Sequence, residues 1–535
     1  MAAVKGDGAQ LAFAAAVELQ HDSDVQLSPR EESVDEHAVK RLHHKPTIPR
    51  TLNHLIGLIG VNSSVVSAWP IFFLTSVLSL SNGGTAGYLV GVLIASIGLI
   101  PVYISLAEKI RKYPTSGGQY HWVAALAPPK IRRGLSFYCG FVLAFTWMTF
   151  LAANVWLGSL SIAAVVLIYT GEYDVKWAFL IAVCMQLLSL AINVTWGKHM
   201  NTVETISVVL HLVTLLLLVG LFVFARATDT VSTSFVFSTD TGWSVNMGIA
   251  LDVVYAATTL SGFDCASHLA EDTVNPSKRV PKSLLWTIGL NMTACIICAV
   301  LVGLAAGNVG DLFGGSFGLS GHPFGAIVQM ISNAARGRKD LASVPFGLFA
   351  SILMICSINA TAAASRMAFS LIRDDRNPAV YRLMSTDLER QTVPRITIVL
   401  TALSPLLTLW INFYSGVGFQ AIGSQCILSL SSTYLMAIGC SLHSRFRRPE
   451  LLGRTYNGIF HPGAIWGTFI DATALCFLCF VWVFSWFPVT APIDTESINY
   501  APIIWVGISI VAMVYYFANA RLHYRNPAPD DDDGI

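Results

Sequence analysis

The sequence predicts an all-α membrane protein that crosses a bilayer twelve times, and two properties of the chain carry this prediction. Hydrophobic residues make up 54% of the 535 residues and charged residues 12%, whereas a soluble domain carries about 25% charged residues. The mean hydropathy is +0.60. A soluble fold of this composition would expose much apolar surface to water, but lipid tails solvate such a surface. The second property is a series of long apolar runs.

Each of these runs is long enough for a membrane-spanning helix, which needs about 20 mainly apolar residues. No long polar segment separates them, so they form one domain over residues 51–522. We expect a disordered cytoplasmic tail at 1–50 and a second cytoplasmic tail at 523–535, because both stretches are polar. The predicted spans are 53–79, 86–107, 135–168, 176–195, 203–225, 245–265, 284–306, 345–372, 396–413, 417–442, 463–487 and 500–520.

Lysine and arginine residues fall mainly on one side of this predicted topology. Because short cytoplasmic loops are enriched in these residues, the asymmetry places both termini in the cytoplasm. The opposite side receives Lys176, Arg226, Arg336, Arg338 and Lys339. The basic clusters on the cytoplasmic side are Lys109/Arg111/Lys112, Lys130/Arg132/Arg133, Lys278/Arg279/Lys282, Arg373/Arg376/Arg382/Arg390/Arg395 and Arg445/Arg447/Arg448/Arg454.

The first and sixth predicted spans contain residues that weaken a helix. Span 1 has a stretch rich in Gly, Asn and Ser at 57–64, and span 6 has a similar stretch at 258–264. These residues add backbone freedom or compete for the helical hydrogen bonds. Breaks five helices apart indicate an inverted-repeat transporter that holds its solute at the breaks. Close packing of small residues without unwinding is the alternative.

Ionisable side chains inside predicted spans are candidates for binding or coupling, because a charge in hydrocarbon is costly. Asp264 lies beside the break in span 6, where it would attract an ammonium group. His211 and Glu204 in span 5 are the candidate proton carriers, and histidine titrates near neutral pH. Asp252 and Asp471 are further buried acids with less local support. A purely structural role is the alternative for each of them.

Other classes of function lack their signatures in this sequence. The net charge of +1 is unlike the basic surface of a nucleic-acid-binding protein. The pairs Cys295/Cys298 and Cys476/Cys479 have no second ligand pair nearby, so no metal or cofactor is expected. Neither the repeated polar rings of a channel pore nor a catalytic motif is found. These observations favour a carrier over a channel or an enzyme.

Three ordered motifs identify a family. Tyr113–Trp122 looks like a PTSGG-x-Y-x-W motif after the second span. Gly262-Phe263-Asp264 and the residues up to Pro281 are similar to G-Y-D followed by H-x-x-E-E-x-x-N-P and V-P, with Phe263 in place of the more usual tyrosine. Ser365-Arg366 resembles an SR motif at the end of the eighth span. Together, over about residues 50–520, they resemble the fungal amino acid/choline permeases of the amino acid–polyamine–organocation superfamily.

The resemblance implies a leucine-transporter-like bundle of two inverted five-helix repeats plus two helices. It also implies secondary active transport of small amine-bearing solutes (amino acids, GABA or choline-like amines) in symport with protons and across the cell membrane. A polyamine or metabolite exchanger and an amine-sensing transceptor stay open as alternatives. The polar side chains Glu108, Glu271, Asp272 and Arg366 resemble salt-bridge partners of a cytoplasmic gate.

The implied substrate pocket lies at the two breaks, between spans 3 and 8. A quaternary ammonium would bind over aromatic faces, for which Trp69, Trp147, Phe150, Tyr255 and Phe263 are candidates. A primary amine would use main-chain carbonyls and Asp264. The expected substrate-binding residues are Gly60, Val61, Asn62, Ser63, Ser64, Trp147, Ser261, Gly262, Phe263, Asp264 and Asn359.

Overall fold

The computed structural model describes residues 55–195, 200–227, 235–378, 382, 395–414, 416–453, 462–488, 490–493 and 498–527. The predicted tail at 1–50 and most of that at 523–535 lie outside the described residues. The helices are α1 (Leu55–Val66), α2 (Ala68–Leu74), α3 (Val77–Lys112), α4 (Gln119–Leu126), α5 (Arg132–Thr170), α6 (Val175–Thr195), α7 (Met200–Ala227), α8 (Val245–Thr259), α9 (Cys265–His268), α10 (Pro276–Ala305), α11 (Val309–Gly314), α12 (Gly325–Ala334), α13 (Lys339–Asp375), α14 (Arg395–Tyr414), α15 (Gly416–Arg447), α16 (Pro449–Gly453), α17 (Gly463–Phe484), α18 (Ala501–Tyr515) and α19 (Arg521–His523).

The predicted all-α membrane architecture is confirmed. Within the described residues, ten helical segments are long and apolar enough to cross a membrane. Two shorter apolar helices, α8 and the first part of α14, lie at the sixth and ninth predicted spans. The count of twelve crossings therefore stays a prediction. We call the side on which α1 begins the N face, and the other side the opposite face.

Both predicted helix breaks are present, but the first lies further along the chain than expected. Residues 57–64 stay helical, and the break falls at Ser67, whose φ of 44° separates α1 from α2. The earlier stretch holds its helix because Asn62 Nδ2 donates to Ser283 Oγ on α10 at 3.2 Å, which fixes α1 against a distant helix. In span 6, residues 260–264 separate α8 from α9, and Gly262 has a φ of 104°.

The core of the bundle is formed by α1, α3, α5, α8, α10 and α13. The helix α3 packs along α8 and α10, and α5 packs along α13. The last two of these ten segments are the least buried. Only 28% of the apolar 18-residue stretch in α17, and 22% of that in the segment Ala501–His523 around α18, is buried inside the protein. They therefore lie outside the ten-helix core, as expected for two helices added to a five-plus-five repeat.

Candidate functional site

A cavity of about 180 Å³ lies where the two helix breaks meet. Val66 immediately before the first break lines it, and so do Ser261 and Gly262 within the second. The cavity extends from there toward the opposite face, where Asn82 and Phe487 form its wall. The unwound main chain thus borders a cavity within the bundle, which is where freed backbone groups are tolerated in a membrane protein.

The cavity wall is mainly apolar and aromatic. Trp147 and Phe150 of α5 meet edge to face with their ring centroids 5.3 Å apart, and Tyr255 of α8 completes the aromatic part of the wall. Thr146 and Asn154 add polar groups. No charged side chain lines the cavity among the described residues. Such a wall suits a small solute whose positive charge is stabilised by ring faces and main-chain dipoles.

The carboxylate of Asp264 lies on the N-face side of the cavity, where it is held by three side chains. It accepts hydrogen bonds from Gln119 Nε2 of α4 and from Tyr434 Oη of α15. His268 Nε2 lies 3.5 Å from the same carboxylate. Tyr103 Oη of α3 donates to Leu260 O at 2.8 Å, which satisfies a carbonyl freed by the break. Asp264 therefore joins the broken span to α4 and α15, and its carboxylate does not line the cavity.

Trp147 belongs both to the cavity wall and to this group of polar side chains. Its ring lines the cavity, while its Nε1 donates to His268 Nε2 at 3.0 Å. Because Nε2 accepts, the imidazole proton lies on Nδ1, which donates to Ser116 O at 2.8 Å. These hydrogen bonds connect the cavity wall at Trp147, through His268 of α9, to Ser116 in the loop that follows α3.

A second layer of ion pairs lies beneath, on the N face. Glu271 pairs with Arg373 at 3.3 Å and Asp272 with Arg366 at 2.9 Å, as the sequence predicted for Glu271, Asp272 and Arg366. Burial raises the pKa of Asp272, although the guanidinium of Arg366 opposes this effect. Both pairs join the turn after α9 to α13, so the N face is closed by two successive polar layers.

The carboxylate of Glu204 is fully buried where α7 meets α1 and α13. Its Oε2 accepts from Ser64 Oγ at 3.1 Å, and Asn359 Nδ2 donates to the same hydroxyl at 2.5 Å. Glu204 Oε1 has no hydrogen-bond partner among the described residues. Gly60 permits the close approach, because a Cβ at that position would lie 3.2 Å from Glu204 O. The structure thus brings four of the candidate residues, Gly60, Ser64, Glu204 and Asn359, into one polar cluster.

The other candidate proton carrier, His211, lies two turns further along α7. Its Nδ1 is 2.8 Å from Ser207 O, and its Nε2 has no hydrogen-bond partner in the described part of the chain. Its ring meets Trp69 edge to face at 6.0 Å. Trp69 also packs on Phe349, so this aromatic candidate belongs to the helix packing around α7.

The expected substrate-binding residues separate into three groups. Trp147, Ser261 and Gly262 line the cavity. Phe263 and Asp264 lie on its N-face side, where the ring centroids of Phe263 and Tyr103 are 5.9 Å apart. The residues on α1 and α13 join helices to one another and do not line the cavity in this conformation: Gly60, Val61, Asn62, Ser63, Ser64 and Asn359.

Sequence reasoning missed several cavity residues. Asn82, Asn154 and Ser424 line the cavity, although none belongs to the breaks or to the family motifs. Asn154, which is 1% exposed, is an amide inside the predicted span 135–168, and this was the available signal. Asn82 falls between two predicted spans and gave none. The aromatic pair Phe484 and Phe487 gave no signal, because α17 lies far along the chain from both breaks.

Comparison with known proteins agrees with the sequence motifs. Residues 55–508 match the family described as amino acid permease. An uncharacterised amino-acid permease of Schizosaccharomyces pombe is 27% identical over 527 residues, which cover 95% of this chain and 91% of the relative. The choline transporter of Saccharomyces cerevisiae is 25% identical over 471 residues, covering 86% and 80%. An amino-acid permease of Arabidopsis thaliana is 25% identical, covering 91% and 95%.

Solved structures show the same fold. The crystal structure of a mutant manganese transporter from Eremococcus coleocola has a TM-score of 0.53 at 14% identity, covering 88% of this chain and 95% of that chain. A likeness at this identity concerns the fold alone, and it confirms the leucine-transporter-like class. With its family match, its apolar spans and a cavity at two broken helices, this chain belongs to the amino acid permease family, whose members are membrane transporters of amino acids and related organic solutes.

Proposed function

We propose that this protein is a secondary active transporter of small amine-bearing solutes, namely amino acids, GABA or choline-like amines, driven by protons. The observation that carries the proposal is the aromatic cavity at the meeting point of both helix breaks. The similarity to a choline transporter supports a cationic solute. An ammonium group over Trp147 or Tyr255 would gain about 0.5–2 kcal/mol for each ring, and the main chain at Ser261 and Gly262 would orient the rest of the molecule.

We further propose that the N face is cytoplasmic and that the protein lies in the cell membrane. Basic residues are concentrated there, at the end of α3 (Lys109, Lys112), the start of α5 (Arg132) and the end of α15 (Arg445, Arg447). Positive charge in short loops favours the cytoplasmic side. In this orientation the cavity extends outward and its cytoplasmic route is closed by Asp264 and the ion pairs, which is one of the two states that alternating access requires.

We assign proton coupling to Glu204, with His211 as the second carrier. The carboxylate joins α1 to α13 through Ser64 and Asn359 and has no basic partner in the described structure. A buried carboxyl of this kind favours the neutral, protonated form. Gain or loss of the proton would alter the contact between the first broken span and the helices around it, and such a contact differs between inward and outward states.

An uptake panel tests the substrate class. The purified protein in liposomes would be given radiolabelled choline, GABA, neutral and basic amino acids and polyamines, with an imposed pH gradient. We expect saturable uptake of one of the small amines, counterflow, and loss of accumulation with a protonophore. Transport of sugars or nucleosides alone would contradict the proposal, and accumulation unchanged by the protonophore would favour the exchanger.

The variant Glu204→Gln tests the coupling residue. Glutamine keeps the size of the side chain and still accepts from Ser64, but it does not titrate. We expect the pH-driven accumulation ratio to fall at least tenfold. The matched control is Glu172→Gln, because Glu172 is an exposed acid in the loop after α5 and its loss should leave accumulation unchanged. Wild-type accumulation in the Glu204 variant would remove this residue from the coupling mechanism.

A further inference from the structure

A second buried carboxyl lies outside the cluster around Glu204. Asp252, in the middle of α8, is 1% exposed. Its Oδ1 accepts a hydrogen bond from Ser79 Oγ of α3 at 2.6 Å. Its Oδ2 is buried and has no hydrogen-bond partner among the described residues. Proton coupling through Glu204 makes no use of this side chain.

Glycines of α3 form a cradle around this carboxyl. A Cβ on Gly83 would lie 2.2 Å from Asp252 Oδ2, and one on Gly87 would lie 2.4 Å from it. One turn further, a Cβ on Gly91 would lie 2.8 Å from Asp252 Cβ. The spacing of four residues places Gly87 and Gly91 on one face of the helix, and Gly83 lies just before Gly84, where a φ of 69° interrupts the helical backbone. Gly83, Gly87 and Gly91 therefore stand at positions where any larger side chain would displace Asp252.

The chemistry of the cradle favours a proton over a metal ion. Gly83 and Gly87 lie so close to Oδ2 that neither position has space for a Cβ, so the six or more oxygen ligands of a hard cation have no room there. The side chain of Asn82 lies beside the carboxyl, and its Oδ1 also has no donor in the described structure. A proton on Oδ2 removes the cost of a buried anion with an unpaired oxygen.

The carboxyl lies next to the cavity. Asn82 and Leu251, which flank it on α3 and α8, both line the cavity toward the opposite face. On the same helix, the phenol of Tyr255 interacts electrostatically with Asp252. From α3, Asp252 meets Ser79, Asn82 and the glycines, and α2 has no titratable side chain. On the other two helices packed against α8, Tyr434 of α15 is bound to Asp264, and Asp471 of α17 to Lys109 and Arg445.

We propose that Asp252 is a second proton-binding site, loaded from the cavity through Asn82, which holds α3 and α8 together in its protonated form. The inference rests on the proposed proton-driven function and adds a site to it. A proton on this carboxyl allows the glycine face of α3 to remain in contact with α8, whereas a bare carboxylate would attract water or a cation into that contact. Protonation from outside would therefore stabilise the outward-facing arrangement of the two helices.

Infrared difference spectroscopy of the purified, full-length protein in liposomes tests whether Asp252 holds a proton. We expect the wild type to show the C=O stretches of protonated, buried carboxylic acids near neutral pH, and Asp252→Asn to lack a component of that band that both the wild type and Glu204→Gln retain. The same variant should lose the dependence of initial uptake on external pH. The control is Asp311→Asn, an exposed acid of α11, which should keep both the band and the pH dependence. A band unchanged in Asp252→Asn would overturn the proposal, and so would uptake that requires sodium and ignores pH.

A second variant keeps the acid and changes only its partner. Ser79→Ala removes the hydroxyl that stabilises the ionised carboxylate, so the proton should be held up to a higher pH. We expect the external pH of half-maximal uptake to rise by about one unit; an unchanged midpoint would contradict the proposal. If Glu204→Gln abolishes pH-driven uptake while Asp252→Asn behaves as wild type, only this inference fails. If the wild type takes up no solute with protons, the proposed function fails, and the infrared band still decides whether Asp252 is protonated.

Discussion

At the scale of single residues, Trp147 connects the cavity wall to the polar layer on the N-face side. Its ring forms part of the aromatic wall, and its N–H donates to His268 on the N-face side of the break. His268 in turn donates to Ser116 O. We therefore expect a solute that contacts the indole to act on the polar layer that closes the N face. The two roles use different parts of one side chain, so they can be separated by substitution.

Trp147→Phe should preserve affinity and impair gating. Phenylalanine keeps a ring face for the cation but has no N–H, so His268 loses a donor. We expect the apparent KM for the amine to change less than about threefold, and the maximal rate to fall about tenfold, as for the loss of one buried hydrogen bond. Trp147→Leu is the companion variant and should also raise the KM. Equal kinetics in Trp147→Phe and the wild type would show that the hydrogen bond to His268 has no part in transport.

At the scale of secondary structure, the two breaks differ in kind. The first is a single residue, Ser67, in the left-handed region, with helix on both sides. The second spans residues 260–264 and includes Gly262 at a φ of 104°, a conformation that L side chains rarely adopt. Glycine is thus required at one break and not at the other. The longer interruption in span 6 exposes more main chain to the cavity.

Gly262→Ala tests this difference. A Cβ there would have room, since its nearest neighbour, Val66 Cγ2, is 3.6 Å away, so the strain comes from the backbone alone. We expect a cost of about 1–2 kcal/mol, a lower thermal-unfolding temperature in detergent, and reduced uptake. Gly439→Ala is the matched control, because Gly439 lies within α15 with open space around it. Uptake and stability equal to the control would show that Gly262 adopts a different conformation.

At the scale of the whole molecule, a buried ion cluster attaches the outer helix α17 to the core. Asp471 Oδ2 lies 2.7 Å from Arg445 Nε of α15, and Asp471 Oδ1 lies 3.4 Å from Lys109 Nζ of α3. Arg445 also pairs with Glu108. Asp471 and Lys109 have no exposed side-chain surface. Glu108 is therefore a salt-bridge partner, as the sequence predicted, and Asp471 is a structural acid that joins three helices.

Asp471→Ala should destabilise the assembly of these helices. Removing it leaves two buried cations with less counter-charge, and breaking a buried ion pair costs about 3–5 kcal/mol. We expect a marked fall in the thermal-unfolding temperature, measured by size-exclusion chromatography after heating. Asp340→Ala is the control, since the Asp340–Arg338 pair is 69% and 68% exposed and contributes little to stability. A similar unfolding temperature for both variants would contradict a structural role for the cluster.

The sequence by itself determined the all-helical membrane architecture, the weak points in spans 1 and 6, and the family. These features depend on local properties: apolar run length, glycine and serine content, and short motifs such as Tyr113–Trp122. Tertiary structure alone decided that residues 57–64 stay helical, because Ser283 of a distant helix holds Asn62. It also decided that Asp264 binds Gln119 and Tyr434 instead of lining the cavity, and that Asn82 and Phe487 do line it. Those outcomes depend on contacts between helices far apart in the chain, which local composition does not encode.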